Sequence, residues 1–358
     1  MSLQSDTRDY EAWLRTQCDV VEADLAYKHK RMGKSAFVFL RATYYRWARK
    51  IEAWCPQVSG GPEVLAVGDL HTENFGTWRD GEGRLVWGVN DFDEAAVMPY
   101  PLDLVRLATS AVLAPDRLLS PREAASAILA GYRKGLDNPR PTLLDEQEIW
   151  MRPFVACTDD DRSKFWKEVG KYPTAKPPKK VASGLEESLP GGARVLRFCT
   201  CVKGGGSLGR PRYVAVAEWC GGQIVREAKA LVPSAWDWAR LRATDRSLFV
   251  KLATGRFRSP DPFLHTDSRF IFRRIAADSR KADLGDKAGA HLGRDLMSAM
   301  GFDLAAIHAA DRDSAKAIAK DLQRRPADWL KAAAESAAAA VQREYEAWCA
   351  GGKPATRD

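Results

Sequence analysis

Between Asp9 and His29 the apolar side chains Trp13, Leu14, Cys18, Val21 and Leu25 return every three or four positions, the period of one helix face. Ser35 to Trp54 continues in helical period and is rich in aromatics and arginine. The pattern then shortens. Glu63–Val67 reads as a strand ending in Gly68-Asp69, a polar loop follows, and Arg84–Val89 reads as a second strand ending in Asn90-Asp91. Leu102–Leu113 is apolar on nearly every side and predicts a buried helix, and Ser120-Pro121-Arg122-Glu123 is a capping box opening a helix to about Leu136. From Asp137 to Glu187 prolines and the basic run Lys176–Lys180 predict a loop-rich boundary. Strand period returns at Arg194–Val202, Tyr213–Trp219 and Ile224–Leu231, the last two joined by a Gly221-Gly222 hairpin turn. Helices dominate after Ser234, apart from a strand at Phe270–Ile275, and Leu292–Ala310 and Trp329–Trp348 are the two long terminal helices. No internal repeat is visible.

Composition narrows the class. A chain of 358 residues with 45% hydrophobic and 28% charged positions is globular and long enough for two domains. No apolar run has membrane-spanning length, and the polar, acidic start lacks the order of a secretory signal, so the expectation is a soluble, cytoplasmic protein. Seven scattered cysteines argue for reduced thiols, with Cys199 and Cys201 spaced for strand packing. A net charge of +8 favours anionic partners such as nucleotides, and five isolated histidines make a multi-histidine metal site hard to build.

The sharpest chemistry lies at two strand ends, Gly68-Asp69-Leu70-His71-Thr72-Glu73-Asn74 and Asn90-Asp91-Phe92-Asp93-Glu94. Acidic strand ends are often only turn chemistry. Two such turns, with Asp69 and Asn74 five positions apart and Asp91 about twenty residues on, fit phosphoryl transfer better. That reaction needs one carboxylate to orient the attacking hydroxyl and oxygen ligands to hold magnesium on the phosphates. A second feature is Lys203-Gly204-Gly205-Gly206-Ser207-Leu208-Gly209-Arg210, in which Gly204, Gly206 and Gly209 satisfy G-x-G-x-x-G. A strand follows it rather than a helix, which favours a phosphate-covering turn between strands over a dinucleotide fingerprint. Lys229 lies after the next hairpin, where a lysine pairing the α- and β-phosphates is expected. Asp103, at the start of an apolar helix, is read as structural support.

These residues carry a resemblance. GDLHTENFG followed by NDFDEA resembles the catalytic and metal motifs of aminoglycoside and choline kinases, and more distantly of protein kinases. The resemblance implies Asp69 as catalytic aspartate, Asn74 and Asp91 as magnesium ligands, Asp93 as a further ligand, and His71 and Asp103 as supports. It also implies Gly204, Gly206, Ser207, Gly209 and Lys229 around ATP. Over most of the chain the sequence is similar to the bacterial family called domain of unknown function 2252, through Arg31–Arg41, the two acidic motifs, Asp103–Ser110, the loop at 204–209 and Lys229.

Two departures from the kinases stand out. The glycine loop and lysine follow the catalytic loop by more than a hundred residues, which a circular permutation reconciles, with Leu292–Ala310 as the helix leading into the catalytic loop. No glutamate occurs between Glu227 and Glu335 to pair with Lys229, so either Asp237 or Asp245 substitutes or the ion pair is absent. The expected fold is therefore an α+β, bilobal, permuted kinase-like architecture. Residues 1–190 form a helical catalytic lobe, 191–284 a small antiparallel sheet lobe covering the nucleotide, and 285–358 helices packing on the first lobe. The expected function is ATP- and Mg2+-dependent phosphotransfer.

The acceptor stays open among a sugar, an amino alcohol, a protein side chain and nucleotidyl transfer to a protein. Phe37, Phe39, Tyr44 and Tyr45 are candidates for an acceptor pocket or for core. The rivals are a nucleotide-binding pseudokinase or scaffold, a two-metal phosphoesterase, and paired-carboxylate glycoside hydrolysis. Nucleic-acid binding through Lys176, Lys179, Lys180, Arg273, Arg274, Arg280 and Lys281 ranks last.

Overall fold

A computed structural model describes residues 2–115, 117–242, 247–267, 269–282 and 289–351. The N-terminal apolar period is interrupted twice. It yields helices Leu3–Gln17 (α1) and Glu22–Met32 (α2) in place of one, then Ala36–Ala42 (α3) and Tyr44–Trp54 (α4), split at Thr43. The first strand, Glu63–Ala66 (β1), pairs antiparallel with Ala96–Pro99 (β4). The polar segment between the acidic motifs is itself a strand, Phe75–Arg79 (β2), hairpinned to Leu85–Val89 (β3), which Thr142–Leu143 (β5) extends. Pro101–Leu113 (α5) is buried almost throughout, as its continuous apolarity requires. Pro121–Asp137 (α6) begins at the Ser120/Glu123 capping box.

The segment expected to be loop-rich holds three helices instead, Arg152–Val155 (α7), Asp159–Gly170 (α8) and Lys179–Glu187 (α9). The signal overlooked there is a second capping box, Thr158 with Asp161. Strands Arg194–Thr200 (β6), Arg212–Trp219 (β7), Gly222–Ala230 (β8), His265–Thr266 (β9) and Phe270–Ile275 (β10) make one antiparallel sheet, ordered β6-β7-β8-β10-β9. Two short helices, Ala235–Ala239 (α10) and Phe249–Ala253 (α11), leave this sheet. The chain closes with Ala290–His308 (α12), Arg312–Leu322 (α13), which the sequence reading passed over, and Trp329–Ala350 (α14). The protein is thus mixed α+β with small antiparallel sheets. Among the described residues no helix is long and apolar enough to cross a membrane.

One large core joins the N-terminal helices, both acidic loops and the C-terminal helices α12 and α14. Cys199 and Cys201 are buried in a smaller cluster under the five-stranded sheet, and Phe37, Phe39, Tyr44 and Tyr45 are buried too. The expected boundary near 284–285 lies outside the described residues, as does Asp245.

Helices α6 and α12 meet backbone to backbone. A methyl group on Gly301 would collide with the Ile128 carbonyl, and one on Gly131 with the Ser298 carbonyl. Gly301→Ala is expected to cost about 2 kcal/mol, because overpacking outweighs the gain in helix propensity. A denaturation midpoint equal to wild type would contradict this packing.

Candidate active site

The first acidic loop leaves β1 and is held from below by Asp103 on α5. Its carboxylate accepts the amides of Val67 (2.7 Å) and Gly68 (2.9 Å). His308, the last residue of α12, lies 3.1 Å from the same carboxylate through Nε2, and Tyr132 reaches His308 Nδ1 at 2.7 Å. An ionised carboxylate only accepts, so Nε2 carries the imidazole proton and the tyrosine hydroxyl donates to Nδ1. All three side chains are fully or almost fully buried. At the other end of the loop the Asn74 amide donates to the Asp69 carbonyl (2.7 Å), which leaves the Asn74 side-chain oxygen to act as an acceptor.

The second loop has a matching support in Asp303 on α12. This buried carboxylate accepts the Val89 amide at 2.7 Å and pairs with Arg258 at 2.9 Å, while Arg258 also donates to the Val89 carbonyl. Two buried carboxylates on different helices therefore fix the two strand ends from which Asp69 and Asp91 project.

Asp69 is anchored on one side. Its Oδ1 accepts from Arg106 Nε at 3.0 Å and from Arg106 Nη2. Arg106 is fully buried, with Tyr44 and Trp47 rings 4.8 and 5.0 Å from its guanidinium. The second oxygen faces the glycine loop, where a methyl group added to Gly206 would lie 3.0 Å from Asp69 Oδ2.

The loop itself is gripped by α2 and the residue that precedes it. Lys28 Nζ donates to the Gly206 carbonyl and Arg31 Nη1 to the Gly204 carbonyl, each at 2.8 Å, and the Val21 amide donates to the Gly209 carbonyl at 2.9 Å. Burial brings the Lys28 ammonium down to about 8.

Lys229, on β8, is buried and makes ion pairs with Asp93 and, at 3.4 Å, with Asp91. Of the two substitutes considered for a missing glutamate, Asp237 is buried in α10 and Asp245 is outside the described residues. Desolvation by the cleft walls opposes ionisation of Asp91, but Lys229 and Arg273 outweigh it and hold its carboxyl below the usual range. Burial and the neighbouring Asp91 charge push Asp93 the other way, despite Lys229 and Arg210. Asp93 Oδ1 is buried without a hydrogen-bond partner among the described residues, whereas Asp91 is 42% exposed. Arg210, directly after the glycine loop, ties the loop to Asp93 (3.4 Å) and Glu94 (2.6 Å). On the same sheet face Glu227 is held by Arg212 and Arg273, each at 2.6 Å, and Arg212 also reaches Ser207 Oγ at 3.3 Å.

These groups surround one cleft of about 600 Å3. Asp69, His71, Asn74, Asp91, Asp93, Gly204, Gly206, Ser207 and Lys229 all line it. Gly209 does not, being packed on Leu25, and Asp103 lies beneath the loop instead of in the cleft. Phe37, Phe39, Tyr44 and Tyr45 do not line it either. The basic residues Arg273, Arg274, Arg280 and Lys281, considered for a nucleic-acid face, are part of the cleft wall.

Sequence reasoning missed Arg106, Arg210, Arg212 and Asp303. A signal existed for two of them, since a charge inside an otherwise apolar helix must be buried and paired, as Arg106 in α5 and Asp303 in α12 are.

His71 is buried, its Nδ1 accepting the Glu73 amide at 3.2 Å. Burial, reinforced by Arg41 and Arg106, holds its imidazole well below the ordinary value of 6.5. The unfolded chain takes up this proton near 6.5 and the folded chain does not, so stability is complete above that pH and is lost as pH falls. The loss from this group approaches about 1.4 kcal/mol per pH unit between roughly pH 6 and 5. His71→Asn, which retains an acceptor for the Glu73 amide, is expected to flatten that part of the melting-temperature profile. Parallel profiles for wild type and variant would rule the assignment out.

Comparison with curated proteins and with solved structures gives no match. Residues 20–146, which take in α2, both acidic loops and Asp103 but stop short of the glycine loop, match the model of a family described as an uncharacterized protein conserved in bacteria (DUF2252).

Proposed function

We propose that the protein is an ATP- and magnesium-dependent phosphotransferase with a kinase-like, circularly permuted architecture. The observation that carries this reading is the convergence of two braced acidic loops, a glycine loop and a buried lysine on a single cleft, although they come from distant parts of the chain. The oxygen donors suit magnesium: the exposed Asp91 carboxylate, the Asn74 side-chain oxygen and the unpartnered Asp93 Oδ1. Magnesium bound there would neutralise phosphate charge as it develops.

The rest falls to the chain's own residues. Lys229, Arg212 and Arg273 present cations on one sheet face for the donor phosphates, and Gly204–Ser207 lets bare backbone approach them. Asp69 keeps Oδ1 on Arg106 and uses Oδ2 to orient the acceptor hydroxyl. The acceptor oxygen bonds to the γ-phosphorus, the β–γ bridging bond breaks to release ADP, and the hydroxyl proton passes to Asp69. The apolar end of the cleft, with Val89, Phe92, Phe249, Ala253 and Leu264, offers a surface for the base. The fold order fits a permutation, since α12, near the end of the chain, supplies His308 beneath the catalytic loop.

The histidines give the phosphoesterase reading no support. His29, His71, His265, His291 and His308 pair with, stack on or cap five separate partners and so do not gather around a common ion.

The test is a thermal-shift titration with ATP, with and without magnesium, on wild type and Asp91→Ala. At 100 times Kd a bound ligand adds about 2.7 kcal/mol of stability, so a rise of several degrees is expected with magnesium and its loss in the variant. A well-folded wild type that responds to no nucleotide would sink the proposal.

A further inference from the structure

Three carboxylates in the cleft are each shared between two cations. Asp93 is shared by Lys229 and Arg210, and Glu227 by Arg212 and Arg273; both pairs belong to the donor side described above. The third triad has no role there. Glu73 pairs with Arg41 Nη1 at 2.7 Å and with Lys281 Nζ at 2.6 Å.

A carboxylate shared in this way fixes two cationic heads in place. Among the described residues it leaves one positive charge uncompensated at Glu227 and at Glu73, though not at Asp93, whose cations also pair with Asp91 and Glu94. Arg41 is only 13% exposed, so its head is held firmly, while Lys281 is 54% exposed and reachable from the mouth. Among the described residues the neighbouring rim ion pairs, Arg280–Asp161 at 2.6 Å and Lys203–Glu168 at 2.9 Å, match charges one to one and do not cancel the excess.

The position of the triad identifies what it would hold. Arg41 Nε lies 3.3 Å from His71 Nε2, on the loop that carries Asp69. The Arg41 carbonyl and Asp69 Oδ2 crowd the same point on Gly206, at 2.9 and 3.0 Å from a methyl group placed there. Arg212 meets the glycine loop at Ser207, whereas the Arg41 head lies against Gly205. The two excess charges thus flank the glycine loop, one on the donor side and one beside the residue that orients the acceptor.

We infer that Arg41 and Lys281 form an anion subsite for the acceptor, so that the acceptor is a hydroxyl compound carrying a phosphate or carboxylate. The inference rests on the phosphotransferase reading. It runs against the cationic acceptors of aminoglycoside and choline kinases, whose ammonium groups this rim would repel.

The experiment is calorimetric titration of the full chain, with ADP and magnesium at saturation, using glycerol 3-phosphate, glycerate, glycerol and choline as probes. At least one of the two anions should bind tenfold or more tighter than glycerol, and choline should not bind. Which anion wins distinguishes phosphate from carboxylate. Arg41→Gln and Lys281→Gln should each weaken that binding tenfold, while their affinity for ADP, which also reports correct folding, stays within twofold of wild type. Glycerol or choline binding as tightly as the better-bound anion would overturn the inference, as would anion binding that survives both substitutions. So would Arg41→Gln abolishing a preference for ATP over ADP, which would place Arg41 on the donor's terminal phosphate. Failure of wild type to bind ADP would instead strike the phosphotransferase reading, and the same titration without nucleotide would still decide the anion subsite.

Discussion

Replacing Asp69 with Asn is expected to lower ADP formation from ATP by about a thousandfold, the scale of losing a general base or orienting carboxylate. The geometry makes this variant informative. Asparagine keeps an oxygen where Oδ1 accepts from Arg106, so the hydrogen bonds at that side survive. It places an amide where Oδ2 faces Gly206, and an amide nitrogen cannot accept a hydroxyl proton. The buried Arg106 loses its counter-charge, so a stability cost of about 1–3 kcal/mol accompanies the kinetic loss. ATP affinity should stay near wild type, because the donor phosphates are assigned to Lys229, Arg212 and Arg273. Turnover within tenfold of wild type would remove Asp69 from the chemistry. Loss of ATP binding in a folded variant would give it a different role.

Asp103→Ala carries the largest expected stability effect. The side chain is fully buried and accepts from two backbone amides and from His308, so its removal orphans three donors and leaves a small void. Breaking a buried network of this kind costs about 3–5 kcal/mol. Asp103→Asn, which can still accept at one oxygen, should lose roughly half as much, and His308→Ala should cost less again because the loop amides keep their partner. Chemical denaturation of the three variants checks the order. Asp103→Ala no less stable than wild type would mean that the Val67–Gly68 turn is held by something other than this carboxylate.

How much was legible in the sequence follows from what each residue's role depends on. Asp69, Asn74, Asp91, Ser207 and Lys229, which the fold brings to one cleft, stand out by residue type and local spacing, and spacing is what a sequence displays. The strands β7, β8 and β10 and the capping box of α6 were visible for the same reason, as period and local hydrogen bonding.

What failed depends on tertiary pairing. Arg212 and Arg273 look like ordinary strand arginines until strand register sets Arg273 opposite Glu227 and Arg212 opposite Lys229. Arg273, Arg274, Arg280 and Lys281 read as a surface patch because nothing local shows that their segment runs along a cleft. The prolines and lysines near α8 hide its capping box, and α3 and α4 read as one helix because Thr43 breaks it without any glycine or proline to announce the break.

The most direct test of the central claim is a crystal structure of the wild-type chain with a non-hydrolysable ATP analogue and Mn2+. The account predicts anomalous density for the ion beside Asp91 and Asn74, and triphosphate density between Lys229 and the loop 204–207. A nucleotide seated elsewhere, or an ion away from both acidic loops, would contradict it.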